Sequence, residues 1–230
     1  MLKVALSHDV DRIKKHYQYF TYPIKALLKG DVKTALYHYA SCFYPEPYWN
    51  FPDIIKIEED FGVRSTFFIL DETLPFKLFD KSNWQLSLGR YKISNKKLQD
   101  AVKFLDKNGW EIGVHGSYLS YQDEALLRKE KQNIENIVGH EIVGSRQHYL
   151  NLNENTWDIQ RACGFKYDST WGLNNAIGFK ENKIRPFKPY QDYFTEIPLI
   201  VMDTEYIPTK NRWEKVLEIM DIVEKMMVFL

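Results

Sequence analysis

The chain has 230 residues, enough for one domain with a substantial core, or for one domain that carries an insertion. Its 31 basic and 31 acidic side chains balance, so charge gives no reason to expect nucleic acid or an anionic membrane as the main partner. Its two cysteines, Cys42 and Cys163, exclude a disulfide scaffold, and neither has a second ligand at zinc-finger spacing.

The N-terminus shows no signal-peptide pattern, and no apolar stretch approaches the roughly 18 residues of a membrane span, so a cytoplasmic location is expected. Aromatic residues make up 15% of the chain, more than a core usually needs; the surplus would suit sugar faces, although bulky core packing is the commoner use.

Leu2, Val4 and Leu6 alternate with Lys3 and Ala5, which predicts a first strand closed by Ser7-His8-Asp9-Val10-Asp11. If the strand persists, Asp9 and Asp11 point to one face, and His8 and Val10 to the other. Two like charges at that spacing repel unless a cation or proton lies between them.

Residues 12–50 carry helical stretches at Ile24 to Leu28 and Val32 to Tyr39, and end in Tyr44-Pro45-Glu46-Pro47-Tyr48-Trp49, an excursion from the core fold. A helix from Pro52 to Phe61 leads to a buried strand at Val63 to Leu70. Ser94 or Asn95 can cap the next helix, followed by a strand at Trp110 to Val114. Asp123 can cap another, which Gly139 stops before a strand near Glu141 to Ser145.

A helix at Thr156 to Cys163 leads into Phe165-Lys166-Tyr167. Phe194 to Met202 reads as a further strand, Asn211 to Met226 as the last helix, and Val228-Phe229-Leu230 as the start of one more strand. Short strands between amphipathic helices specify an α/β fold with a parallel sheet, either closed as a barrel or open and doubly wound.

In such a sheet, the polar residues just past the strands converge at one end. Four groups qualify: Asp9 and Asp11; His115-Gly116-Ser117-Tyr118; Arg146-Gln147-His148-Tyr149; and Asp168-Ser169-Thr170-Trp171. Carboxylate with imidazole suits zinc, with cobalt, nickel or iron as competitors. Such an ion activates water and polarises a carbonyl, a nearby carboxylate takes the proton, and an Arg keeps that carboxylate ionised, which together describe amide or ester hydrolysis.

From Lys3 to about Met226 the motifs, in order, resemble the polysaccharide deacetylases, the NodB-homology enzymes of carbohydrate esterase family 4. Ser7-His8-Asp9-Val10-Asp11 stands at the first motif, Arg64-Ser65-Thr66-Phe67-Phe68 resembles the "ATFF" strand, and Trp110-Glu111-Ile112-Gly113-Val114-His115 resembles "HEIGNH". Gly144-Ser145-Arg146-Gln147-His148-Tyr149 takes the place of "R-x-P-[YF]", while Tyr167-Asp168-Ser169-Thr170 resembles "YDSS" and Thr195-Glu196-Ile197-Pro198-Leu199 "EIP".

The resemblance implies a distorted (β/α) barrel of one domain, with residues 12–50 as a helical insertion after the first strand. It implies Asp9 as general base, Arg146 as its partner, and Asp11 and His115 as metal ligands. The family's second metal His falls on Leu119 here, and His148 stands two residues after Arg146 where the family has Pro, so His148 is expected to complete the metal site. Tyr149, Asp168 and Trp171 are expected to bind substrate. The chain stops at Leu230 before the family's terminal strand and its acid His, which suggests a truncated member with an open sheet edge and a tendency to form homo-oligomers.

The implied function is a zinc-type hydrolase that removes acetyl groups from a sugar or a surface-polysaccharide precursor, with carbohydrate and not nucleic acid as its partner. Two alternatives use the same fold: a non-catalytic glycan-binding or assembly protein, and an amidohydrolase acting on a cyclic amide.

Overall fold

The computed structural model describes residues 3–207 and 209–228. One sheet holds six parallel strands: β1 (Ser7–Val10), β2 (Thr66–Leu70), β3 (Glu111–Gly116), β4 (Gly144–Gln147), β5 (Tyr167–Asp168) and β6 (Thr195–Glu196). The helices are α1 (Gln18–Leu28), α2 (Val32–Ala40), α3 (Phe51–Asp60), α4 (Lys81–Ser87), α5 (Lys96–Lys107), α6 (Glu124–Val138), α7 (Thr156–Ala162), α8 (Asp203–Tyr206) and α9 (Arg212–Val228).

Each strand pairs with its successor in sequence, so the order never reverses. A doubly wound sheet needs such a reversal; without one, right-handed crossovers stack their helices on one face and leave the other as the inside of a curl. This is the distorted-barrel alternative. Among the described residues the curl does not close, and β1 and β6 form its two edges.

The outer face holds the molecule together. Val10, Phe67, Ile69, Ile112 and Val114 from the strands share one core with Leu98, Val102 and Leu105 of α5 and with Leu127 and Ile134 of α6. Burying each such side chain contributes about 1.5–3 kcal/mol. The caps are local: Asn95 accepts from the Leu98 amide at 3.1 Å and Asp123 from the Leu126 amide at 3.0 Å. Gly139, at φ 86°, ends α6 in the left-handed region that favours glycine.

The inner face carries the polar residues. Asp9 lies in register with Phe68, and Phe68 with Gly113; Leu70 pairs with His115, and His115 with Arg146. Gly113 is required there, because a Cβ at that position would lie 2.5 Å from the Phe68 ring. That ring in turn sits 4.5 Å beneath the Arg146 guanidinium.

Several element boundaries differ from the sequence expectation. The first strand is Ser7–Val10 rather than the alternating run before it, and Val4 and Leu6 are 64% and 44% exposed. Among the described residues its one neighbour, β2, starts at Thr66, whose amide reaches the Leu6 carbonyl, and no described residue before that pairs with the earlier ones. The strand expected at Phe194 to Met202 shrinks to Thr195–Glu196; Pro198 has no N–H to donate, and Leu199 makes only an isolated bridge to Gly172. Val228 is the last residue of α9 rather than the start of a strand, and Phe229 and Leu230 lie outside the described residues.

Candidate active site

Asp9 and Arg146 meet on the inner face across 137 residues of sequence. Arg146 Nη1 donates to Asp9 Oδ1 at 2.9 Å, while its Nε and Nη2 donate to the Ser169 carbonyl and hydroxyl, each at 2.9 Å. With all three nitrogens engaged and Phe68 below, the buried guanidinium has one orientation, and it fixes the carboxylate. His8, on the opposite face, pairs instead with Glu58 of α3 at 2.8 Å.

Asp11 lies just past β1, His115 near the end of β3, and His148 one residue past β4. Asp11 Oδ1, His115 Nε2 and His148 Nδ1 form a triangle with sides of 3.4, 3.3 and 3.0 Å. Asp11 Oδ1 is buried and makes no hydrogen bond of acceptable geometry. Tetrahedral zinc with ligands at about 2.1 Å would hold them about 3.4 Å apart, so the donor set and spacing fit a divalent cation. The three residues could supply one ligand atom each.

Burial opposes the Asp11 charge, but the electrostatic influence of His115, His148 and Arg90 outweighs it and holds the carboxyl well below the usual range. Burial also opposes protonation of His115, yet Asp9 and Asp11 raise its pKa above that of an ordinary histidine. Burial is the main reason that His148 is pushed down to about 3; His115 and Arg90 add to this, and Asp11 only partly offsets it.

The two histidines have different outer partners. His115 Nδ1 donates to the Arg146 carbonyl at 3.0 Å, which leaves the Nε2 lone pair facing the triangle. His148 Nε2 instead meets Arg90 Nη2 at 2.8 Å. A guanidinium only donates, so Nε2 accepts and the ring proton of neutral His148 sits on Nδ1, inside the triangle. A cation there must displace that proton while the Arg90 contact rearranges.

No protein-family model and no curated protein matches the sequence. Among solved structures, one described as a polysaccharide deacetylase from Mycobacterium smegmatis superposes with a TM-score of 0.53 at 19% identity, covering 95% of this chain and 72% of that one. The chain has the polysaccharide deacetylase fold. Two further overlays are partial. A polysaccharide deacetylase from Bacillus cereus has a TM-score of 0.38 at 17% identity over 68% of this chain and 74% of its own. A CE4 family pseudoenzyme from Bacillus anthracis has a TM-score of 0.36 at 16% identity over 50% of this chain, which spans only 36% of that protein.

On this deacetylase fold the inner face opens into a groove of about 2410 Å³, lined by Asp9, Asp11, His115, Arg146 and His148 and bounded by residues of α9. Tyr149 also lines it, with its ring centroid 4.4 Å from that of His148. Tyr149 and Leu150 have φ of 58° and 51°, a left-handed pair that costs bulky residues strain and turns the chain back directly after His148.

Two expected substrate contacts do not reach the groove. Asp168 is fully buried in register with Glu196 and accepts from Ser145 and from the Thr170 amide. Burial and then the Asp168 charge push Glu196 well above the usual carboxylate range. Trp171 stacks on Trp157 at 5.6 Å and donates to the Lys180 carbonyl, outside the groove.

Sequence reasoning missed Arg90 and Tyr91, which follow α4 in a segment without periodicity or motif. The Tyr91 hydroxyl donates to the Val10 carbonyl at 2.6 Å and accepts from the Leu70 amide at 2.8 Å, which ties β1 to β2 where their ladder ends.

Proposed function

We propose that the protein is a metal-dependent hydrolase that removes acetyl groups from an N-acetylated sugar, such as a precursor of a surface polysaccharide. The observation that carries this reading is the oriented Asp9–Arg146 pair in the same groove as the Asp11, His115 and His148 triangle. The fold of a described polysaccharide deacetylase supports it.

Asp11, His115 and His148 would hold the ion, with zinc the first candidate and cobalt, nickel or iron as competitors. A divalent cation held there lowers the pKa of a neighbouring water and polarises a carbonyl. Asp9, aimed by Arg146, takes a proton from the attacking water, and hydrolysis yields acetate and the free amine. Tyr149 forms part of the wall against which a sugar would lie.

One observation favours a second reading, a glycan-binding protein without turnover: Arg90 sets His148 in the tautomer whose Nδ1 proton opposes a cation. Incubating the zinc-loaded protein with N-acetylglucosamine oligomers and measuring free acetate distinguishes the two. Release that stops with a chelator and in Asp9→Asn supports the hydrolase. Oligomer binding with no acetate at any metal concentration would establish the binding protein instead.

A further inference from the structure

The hairpin of α1 and α2 leaves its apolar side uncovered. The two helices pack against each other, and the small residues Ala26 and Ala35 are buried. Their large side chains face outward: Phe20, Ile24, Leu27 and Leu28 recur at helical spacing along α1, and Val32, Leu36 and Tyr39 do so along α2. At the tip, where Lys29, Gly30 and Asp31 join the helices, Leu28 is 83% exposed, and Ile24, Leu27, Val32 and Leu36 are each more than half exposed. A concentration of apolar surface this dense marks an interaction site.

The charges around the tip indicate what covers it. Lys25, Lys29 and Lys33 are exposed beside these apolar residues, and Asp31 is the only acid between residues 24 and 36. The Asp31 carboxylate is engaged in capping α2 through the Thr34 amide. The balance of charge over the whole chain therefore conceals a local basic excess.

Protein–protein interfaces are depleted in lysine, and a symmetric contact between two copies would bring these lysines against each other. A membrane surface accepts both features: apolar side chains enter the acyl boundary, while lysine stems lie along them and place their ammonium groups among anionic headgroups.

We propose that the α1–α2 tip docks the protein on an anionic lipid bilayer. Both ends of the insertion line the catalytic groove, through Arg12 on one side and Pro47 and Tyr48 on the other. Since α1 is 11 residues long, it spans about 16 Å, so docking would hold the groove within roughly one helix length of the membrane. The inference does not depend on the metal or on turnover.

Co-sedimentation of the full chain with phosphatidylglycerol–phosphatidylcholine vesicles, compared with phosphatidylcholine alone, tests the proposal. The anionic vesicles should bind the protein, and salt should weaken the binding. The Leu27→Glu, Leu28→Glu double variant should lose it, and Lys25→Gln, Lys29→Gln, Lys33→Gln should weaken it by about 100-fold, while Phe79→Glu, elsewhere on the surface, should leave it unchanged.

The lysine variant touches no apolar contact, so it decides the matter even if circular dichroism shows that the leucine variant has lost helix. The proposal is overturned if anionic vesicles do not bind the protein, or if binding survives both tip variants. A wild-type dimer that the leucine variant converts to monomer would overturn it as well, by assigning the tip to a second copy of the chain.

Discussion

Asp9 and Asp11 both line the groove, yet they meet different partners: Asp9 takes a guanidinium hydrogen bond at 2.9 Å, and Asp11 completes a triangle with two imidazoles. If Asp9 is the base and not a ligand, Asp9→Asn should lower kcat by about 10²- to 10⁴-fold. Isothermal titration should find zinc affinity unchanged, and a parallel loss of metal would place Asp9 among the ligands. Arg90 acts in the opposite sense. Arg90→Gln replaces a pure donor with a side chain that can accept from His148 Nε2–H, which frees Nδ1 for a cation. Competition with a chromophoric chelator should then show zinc bound about 10- to 100-fold more tightly. The acids, His115 and Arg146 were legible in the sequence because each stands at a strand end within a motif. Arg90 was not, because a lone arginine in an aperiodic loop carries no signal until the fold brings it 2.8 Å from a histidine.

At the scale of elements, the contact between α6 and the loop after β3 depends on a buried acid. Glu130 of α6 is 1% exposed; its Oε2 accepts from the Ser117 amide at 3.1 Å, and its Oε1 has no partner. Burial is the largest cause that pushes its carboxyl up to about 8, against an ordinary value of 4.5. The sign follows from proton binding: between those values the folded chain holds a proton that the unfolded chain has released, so stability falls as pH rises through that window and levels off above it. Glu130→Gln should remove this slope, about 1.4 kcal/mol per pH unit, when urea midpoints are compared between pH 5 and 8. Equal slopes would mean that Glu130 is ionised in the folded protein. Helix starts were readable at this scale because Asn95 and Asp123 cap locally, their side chains accepting from the amides three residues on. Strand limits were not, since β1 and β6 extend only as far as a distant neighbour pairs with them.

For the whole molecule, alternating strands and helices implied a parallel sheet but not its order, and only the successive pairing from β1 to β6 selects the curl over a doubly wound sheet. That curl assembles the candidate metal site from residues 11, 115 and 148, at the ends of three strands that an unfolded chain leaves far apart. A cation bound there stabilises the native state alone and acts as a cross-link between β1, β3 and β4. At a concentration about 100 times the dissociation constant, linkage supplies about 2.7 kcal/mol. For a chain of this length each kcal/mol raises Tm by about 2–4 °C, so saturating zinc should raise it by roughly 5–10 °C, and a chelator should reverse the gain. His115→Ala removes one corner of the triangle and should abolish the shift, whereas Asp9→Asn should keep it. A shift that persists in His115→Ala would mean that the cation binds elsewhere, and the three strand ends would then need another explanation for their convergence.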